Sequence, residues 1–382
     1  MKKRLLSAVA ALLLVVAVIL FAGSESAQHQ PASSRGYIVS SLAGADSSPA
    51  GGITLTNGTY VTAYRHTGPT VDGPSPTARF QILKGIALGP DRSLYVTDSP
   101  DNKISKITTD GMVSTIAGQG LGGHDDGDCA RATFSLPTGI AVDKVGNVYV
   151  AETGAIRKIT IDTTGCRVST LPGGFHYPDR LAINTAGNLY VADNGCAVGK
   201  ESSIRKVTPD GVVITIASSG MCVEIEGAPS PATPNLSSGI AVDAAGNVYV
   251  SGFHDIRKIT PDGRVSKFAG TGKDGKTDGV GARAAFSMPL GLVVDADGNL
   301  YVADHDAHAV RKISPAGEVT TIVGAGNYEE MQKAWRDAGQ LTPYRDGPAD
   351  KAMLASPNDV VVDTNGVYVA DWEKVRKITP AR

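Results

Sequence analysis

Four short phrases within residues 139–171 decide the fold: Gly139-Ile-Ala-Val-Asp143, Gly146-Asn-Val-Tyr-Val-Ala151, Ile156-Arg-Lys-Ile-Thr160 and Val168-Ser-Thr-Leu171. Each phrase is rich in Val, Ile, Tyr and Thr, and it alternates apolar with polar or small residues, which is the pattern of a β-strand. Asp, Gly and Asn stand between the phrases, and these residues favour tight turns. The stretch therefore predicts four consecutive antiparallel strands joined by hairpins.

The same phrases recur in the same order along the chain. Their first positions lie 41 to 68 residues apart, which is the spacing of four-stranded units with variable linkers. Those positions are Gly85, Gly139, Arg180, Gly239, Gly291 and Asp359. Since six such units arranged radially make a closed ring, the sequence predicts an all-β, six-bladed β-propeller of four-stranded antiparallel blades.

The two ends of the repeated region complement each other. The last unit has three phrases and stops at Arg382, so its fourth strand is missing. Residues 37–44 match the fourth phrase at residues 112–118, yet no first three strands precede them. Because an unpaired sheet edge is a liability, we expect this N-terminal strand to close the last blade.

The repeated phrases resemble the NHL repeat over roughly residues 37–382. The linkers add a bacterial-type signature of Asp-Gly followed by Phe or Leu, at Asp72–Phe80, Asp126–Phe134, Asp278–Phe286 and Asp346–Leu354. The resemblance implies a six-bladed propeller. It leaves the function open, because NHL propellers serve as protein-binding, RNA-binding, sensor and occasionally enzymatic domains.

The first residues predict the compartment. Lys2, Lys3 and Arg4 precede an uncharged apolar run of 19 residues that ends at Gly23, which is the order of an export signal. The run is also near the length that spans a bilayer, so residues 1–27 are either a cleaved signal peptide or an N-terminal membrane anchor. With either alternative, the rest of the chain lies outside the cytoplasm. This exported part consists of a linker at 28–36 and a propeller at 37–382. The propeller is then periplasmic, extracellular or held at the outer side of the cytoplasmic membrane.

Charge and motifs exclude several function classes. The formal net charge is −2, so there is no basic field for nucleic acid, and the one expected membrane contact is the N-terminal segment. Residues 270–277 match the spacing of a phosphate-binding P-loop, but Asp278, Gly279 and Gly281 follow instead of a helix. We therefore predict no cofactor. No nucleophile elbow is present either, and we predict no catalytic residue.

Recurring charged residues predict a structural role. Acidic residues end the second strand at Asp98, Glu152, Asp193, Asp304 and Asp371, and Arg recurs in the third at Arg157, Arg205, Arg257, Arg311 and Arg376. Since they occur in nearly every blade, we expect each carboxylate to accept turn amides and to face the Arg. His305 and His308, beside Asp304 and Asp306, either bind a metal or form a solvated loop. We favour the loop and predict no metal site, because spacing places no third and fourth ligand.

The residues just before strand one should crowd around the propeller axis and ring one channel mouth. They are Lys84, Thr138, Asp179, Ser238, Leu290 and Asn358. Such a mixed set can orient a polar ligand by hydrogen bonds but offers no nucleophile and no complete metal site. The long linkers 44–83 and 324–357 flank this mouth. Their aromatic residues either wall it or pack inward: Tyr60, Tyr64, His66, Tyr328, Trp335 and Tyr344.

Two functions follow from these positions. The first is a non-catalytic interaction module that binds a protein, peptide or glycan outside the cytoplasm. The second is a metal-assisted lactonase or other hydrolase, because the segments at Asp179 and Asn358 partly resemble the metal-binding segments of the gluconolactonase family. The glycine of those segments is missing here, and Lys84 would repel a cation. We favour the first.

The cysteines give one predicted disulfide. If the inter-blade linkers and the loops between strands two and three share one face, Cys196 and Cys222 of the third blade can meet. An exported compartment permits a disulfide between them. The same geometry puts Cys129 in a linker on that face and Cys166 at the opposite hairpin, so these two stay unassigned. Four free thiols are the alternative.

Overall fold

The computed structural model describes residues 36–45, 53–54, 60–61, 69–195, 201–218, 238–324 and 344–381. The chain divides into two units, Met1–Gln30 and Pro31–Arg382, and every described residue belongs to the second. These residues form six larger antiparallel sheets and one two-stranded sheet. None of them belongs to a helix that is long and apolar enough to cross a bilayer.

The described strands, in chain order, are β1 (Tyr37–Ala43), β2 (Ile53–Thr54), β3 (Tyr60–Val61), β4 (Gly73–Pro74), β5 (Leu83–Leu88), β6 (Leu94–Asp98), β7 (Lys103–Ile107), β8 (Met112–Ala117), β9 (Gly127–Asp128), β10 (Ile140–Val142), β11 (Val148–Glu152), β12 (Ala155–Asp162), β13 (Gly165–Thr170), β14 (Pro178–Ile183), β15 (Leu189–Asn194), β16 (Ser202–Val207), β17 (Val213–Ser218), β18 (Ile240–Val242), β19 (Val248–Ser251), β20 (Ile256–Ile259), β21 (Val265–Ala269), β22 (Gly279–Val280), β23 (Pro289–Val294), β24 (Leu300–Asp304), β25 (Ala309–Ile313), β26 (Glu318–Val323), β27 (Gly347–Pro348), β28 (Pro357–Asp363), β29 (Gly366–Asp371) and β30 (Lys374–Pro380). A 3₁₀ turn at Gly281–Arg283 follows β22.

The predicted all-β, six-bladed propeller is confirmed. Blades one to five contain β5–β8, β10–β13, β14–β17, β18–β21 and β23–β26, each an antiparallel meander whose strands pair in chain order. Turn chemistry sets the first hairpin of a blade: Asp143 Oδ1 accepts hydrogen bonds from the N–H groups of Val145 (3.0 Å) and Asn147 (2.9 Å), and Gly146 has φ 93°. The same Asp-to-Asn contact recurs at Asp243 and Asp295, which explains why the phrase repeats.

The predicted closure of the ring is also confirmed. Blade six consists of β28, β29 and β30, and β1 pairs antiparallel with β30 as its fourth strand. Ile38 lies opposite Thr379 and Ser41 opposite Arg376. Val39 is buried in the apolar cluster between blades five and six, so the closing strand contributes to the core as well as to the sheet.

Four blades carry a short fifth strand at the outer edge, formed by β4, β9, β22 and β27. Each contains the Gly of the Asp-Gly signature; in blade two, Gly127 lies opposite Val168 and Asp128 opposite Arg167. The linkers therefore run down the outside of the following blade before they reach its first strand.

This path corrects the predicted placement of one linker. Cys129 does not stay at the first face: its N–H donates to Cys166 O (3.2 Å), and the two residues form a disulfide with a Cα–Cα distance of 5.4 Å. The predicted Cys196–Cys222 disulfide lies outside the described residues and stays a prediction.

Candidate functional site

Glycine allows the six first strands to approach one another around the axis. A Cβ atom on Gly139 would lie 2.5 Å from the carbonyl oxygen of Asp179, and one on Gly239 would lie 1.8 Å from that of Leu290. Gly85 and Gly291 face equally close neighbours in the next blade. Side chains are thus excluded at four of the six equivalent positions. We call the level of these six positions along the axis the glycine level.

Arg180 and Asp359 occupy the other two positions, three blades apart and so on opposite sides of the axis. Arg180 is 5% exposed; its Nη1 donates to Asp179 Oδ1 (2.9 Å) and its Nη2 to the carbonyl of Asn358 (3.3 Å). Burial raises the pKa of Asp359 to about 6, while attraction to Arg180 and two backbone N–H groups oppose the rise. A buried cation and a buried carboxyl group thus stand at the two positions without glycine, and they attract each other.

The predicted ring residues lie on the face that carries the loops between strands two and three. These loops bond to residues just before strand one, as Thr153 N does to Ser135 O (3.0 Å). Four of the six ring residues are half-buried, Lys84, Thr138, Asp179 and Ser238, and two are buried, Leu290 and Asn358.

Three of the ring residues gather around Arg180. Arg180 contacts both Asp179 and Asn358, and the Asn358 amide also donates to Leu83 O (2.8 Å). Burial and repulsion from Arg180 lower the pKa of Lys84, and attraction to Asp179 opposes this. The structure thus groups Lys84, Asp179 and Asn358, whereas the binding role of the six residues stays a prediction.

A cavity of about 260 Å³ lies on the other side of the glycine level, toward the hairpins between strands one and two. The first strands of all six blades line it, and none of the six ring residues does. Because these strands are sheet edges, their unpaired backbone N–H and C=O groups border the cavity. Its charged lining residues are Arg180 and Asp359. Sequence reasoning did not single them out, although both replace Gly in the aligned phrase.

The recurring Arg and acidic residues form a clamp within the blade, as predicted. Arg157 Nη1 donates to Glu152 Oε1 (2.8 Å), and its Nη2 donates to Asp126 Oδ1 (2.7 Å) of the linker signature. The guanidinium stacks on Phe134, 5.2 Å from the ring centre, and Glu152 also accepts the N–H of Ser135 (2.7 Å). Equivalent contacts join Arg311 to Asp304 and Asp278, and Arg376 to Asp371 and Asp346. In blades two and five this clamp explains both the Asp and the Phe of the linker signature.

The histidine group of blade five is directed to separate partners. His305 Nδ1 lies 2.6 Å from Asp306 Oδ1, His308 Nδ1 lies 2.5 Å from the carbonyl of Ala355, and Asp304 is held by Arg311. Among the residues that the structure describes, no three His, Cys, Asp or Glu side chains gather so that they could hold a metal ion.

Of the six linker residues predicted to wall the mouth or to pack inward, the structure describes the side chain of Tyr344, and it packs inward. Tyr344 Oη donates to Asp371 O (3.0 Å), and its ring lies under Lys374 (4.7 Å) and Arg376 (5.3 Å). The side chains of the other five lie outside the described residues: Tyr60, Tyr64, His66, Tyr328 and Trp335.

Comparisons with known proteins agree with this fold. The model of the NHL repeat matches residues 286–313, so the resemblance seen in the sequence is confirmed there. The chain is 26% identical over 287 residues to the protein SUPPRESSOR OF QUENCHING 1, chloroplastic, of Arabidopsis thaliana, covering 67% of this chain and 26% of that protein. It spans about a quarter or less of the length of the curated relatives it matches.

Two solved structures share the architecture. An auxiliary nutrient binding protein from Bacteroides ovatus is 18% identical, with 91% of this chain and 78% of that chain covered and a TM-score of 0.62. A gluconolactonase from Xanthomonas campestris is 15% identical, with 83% and 99% covered and a TM-score of 0.51. At these identities the likeness shows the fold alone. The chain thus carries an NHL repeat within a six-bladed propeller.

Proposed function

We propose that this protein is an exported, non-catalytic interaction module. It binds a protein, peptide or glycan outside the cytoplasm through the ring of Lys84, Thr138, Asp179, Ser238, Leu290 and Asn358. Four of these side chains are half-buried, so part of each stays accessible from the face with the loops between strands two and three. A positive, a negative and several neutral polar groups within one ring suit a ligand that is held by hydrogen bonds.

The position of Arg180 carries the choice of binding over metal-assisted hydrolysis. Its guanidinium touches Asp179 at 2.9 Å and the Asn358 carbonyl at 3.3 Å, so it lies between the two residues that a hydrolase of the gluconolactonase type would use for its ion. A divalent cation at this point would face a fixed positive charge at contact distance, with Lys84 close by. Metal-assisted lactonase activity is therefore the weaker proposal.

Export is supported by the cysteine chemistry. Cys129 and Cys166 are bonded within blade two. Structural disulfides persist in oxidising compartments and are rare where thiols are kept reduced. The order of charges and apolar residues at positions 2–27 points the same way.

Two assays on the purified propeller test this function. The first screens glycan and peptide arrays; the second follows hydrolysis of glucono-1,5-lactone with Ca²⁺, Mn²⁺ or Zn²⁺ present. We expect saturable binding to a defined array class and no lactone hydrolysis above the metal-only rate. Metal-dependent hydrolysis that is lost in Asp179→Asn would favour the hydrolase instead.

A further inference from the structure

Blade one departs from the clamp that blades two, five and six share. In those blades one guanidinium joins the carboxylate that ends strand two to the linker Asp, as Arg311 joins Asp304 (2.8 Å) to Asp278 (2.8 Å). In blade one both acidic positions remain, Asp98 and Asp72, and Asp72 binds Thr115 as Asp126 binds Thr170. The third-strand position is Ser105, which lies opposite Val96 as Arg157 lies opposite Val150.

Among the described residues, the carboxylate that ends strand two of blade one, Asp98, therefore has no guanidinium partner. Asp98 is fully buried, and it accepts hydrogen bonds from the N–H groups of Gln81 (2.8 Å) and Ile82 (3.0 Å). Asp101, half-buried, lies beside it. Within the described part of the chain, neither carboxylate forms an ion pair with Lys, Arg or His. Burial raises the pKa of Asp98, and the neighbouring Asp101 raises it further.

Thr70 lies between the two carboxylates: its N–H and Gln81 Nε2 donate to Asp101, and its hydroxyl group contacts both Asp98 and Asp101. Its hydroxyl oxygen is 2.6 Å from Asp98 Oδ2 and 2.7 Å from Asp101 Oδ2. A hydroxyl group has one hydrogen to donate, so one of these short oxygen–oxygen contacts has no proton of Thr70 in it.

Ser105 supplies a second, independent observation. Its side chain is fully buried, and its Oγ has no hydrogen-bond partner among the residues that the structure describes. Ser105 lies opposite Val96, two residues before Asp98 on the same strand, so Ser105 and Asp98 project from the same face of the sheet. A buried hydroxyl without a partner is costly, and it is satisfied if a ligand is bound beside it.

We propose that blade one binds a hard cation, Ca²⁺, between the carboxylates of Asp98 and Asp101, with the hydroxyl oxygens of Thr70 and Ser105 as further ligands. The ion takes the role that a guanidinium plays in the other clamped blades. Carboxylate and hydroxyl oxygens are the ligands that Ca²⁺ and Mg²⁺ prefer. The site is separate from the axial ring and does not depend on the proposed function.

Calcium titration of the full chain tests this site, with MgCl₂ and NaCl as the comparison cations. After treatment with EDTA and dialysis, we expect calorimetry to show one bound Ca²⁺ per chain and the melting temperature to rise by roughly 2–4 °C at saturation. Asp98→Asn should weaken binding at least tenfold. Ser105→Arg should abolish it and raise the melting temperature of the cation-free protein, because Phe80 stands where Phe134 supports Arg157.

Two control variants keep the assignment specific. Asp297→Asn and Asp262→Asn each change an exposed Asp in a hairpin of another blade; both should bind Ca²⁺ as the unaltered protein does. The proposal would be overturned if Asp98→Asn and Ser105→Arg bound Ca²⁺ as tightly as the unaltered protein does. It would also be overturned by the absence of any response to Ca²⁺, both in the calorimetric titration and in the melting temperature. If Ser105→Arg does not fold, Asp98→Asn decides.

Discussion

At the scale of single residues, the guanidinium of Arg311 shows how a blade is fastened. It is fully buried and contacts two carboxylates and the carbonyls of Ala285 and Thr277, both at 3.1 Å. Burial raises the pKa of Asp304, and Arg311 opposes the rise. The pair therefore stabilises the fold only while both partners are present.

Removing Arg311 tests this clamp. We expect Arg311→Ala to lower the free energy of unfolding by about 3–5 kcal/mol, because Asp304 would be left as a buried carboxylate without its partner. Chemical denaturation at neutral pH measures the change. Arg264→Ala is the matched control, because Arg264 is 86% exposed and its pair with Asp262 is screened by solvent; a similar loss in both variants would contradict the clamp.

The buried carboxyl group at the axis predicts a pH effect. The pKa of Asp359 is raised from 3.8 to about 6, so between these pH values the folded state binds more protons than the unfolded state. Stability should therefore fall as pH rises through this window, by roughly 2–3 kcal/mol. Denaturation at pH 4, 5, 6 and 7 measures it, and Asp359→Asn should show a flatter profile than the unaltered protein. Parallel profiles would show that Asp359 does not titrate there.

Sequence reasoning predicted the clamp but not the axial pair, for a physical reason. Glu152 and Arg157 recur in register, so their structural role can be inferred from repetition alone. Arg180 and Asp359 each occur once in the aligned phrase, and they attract each other because the closed ring places blades three and six on opposite sides of one axis. The pair therefore depends on ring closure.

At the scale of elements, the repeated strands of four to six residues were predictable, because apolar and polar residues alternate along each strand and turn residues stand at its ends. The two-residue strands at Gly73, Gly127, Gly279 and Gly347 are too short to carry any period, so the outer path of the linkers was not predictable. The error in placing Cys129 followed from that path.

The closing strand carries an expectation of its own. A chain that begins at Ala45 loses β1, whose residues pair with β30 from Tyr37 to Ala43. Blade six would then expose an unpaired edge, and the ends of the ring would separate. We expect circular dichroism to show no cooperative melting, and gel filtration to show aggregates, whereas a chain that begins at Gly36 melts as the full chain does. Cooperative melting of the shorter chain at an unchanged temperature would rule out this role.

The disulfide of blade two stabilises the outer edge. Cys129 and Cys166 are 37 residues apart, and in the chain-entropy model a closed loop of this size contributes about 4 kcal/mol. We expect the double variant Cys129→Ser, Cys166→Ser to lose 2–4 kcal/mol of unfolding free energy, about the typical range. The reduced parent protein should be no more stable than this variant, because reduction also opens the predicted Cys196–Cys222 bond; a reduced protein as stable as the oxidised one would contradict this contribution. Peptide mapping of the same samples also tests the predicted Cys196–Cys222 bond.

At the scale of the whole molecule, six repeats fix the ring, and the ring fixes which residues meet at the axis. The fold was predictable to the number of blades and the closing strand. The ligand was not, because the axial residues differ from blade to blade and each combination is specific to one chain. Function must therefore be read from Lys84, Asp179 and Arg180 rather than from the fold.

The most direct measurement is the affinity of the propeller for the ligand class that the arrays select, with and without the charged ring residues. Lys84→Ala and Asp179→Asn are combined, and Asn358 is left intact because it is buried and bonds Leu83. The matched control is Lys144→Ala, an exposed residue in the hairpin at the opposite end of strand one. We predict that the double variant binds at least about tenfold more weakly, which is 1.4 kcal/mol, with an unchanged melting profile and an unaffected control. Unchanged affinity of the double variant, or an equal loss in Lys144→Ala, would contradict binding at this mouth of the channel.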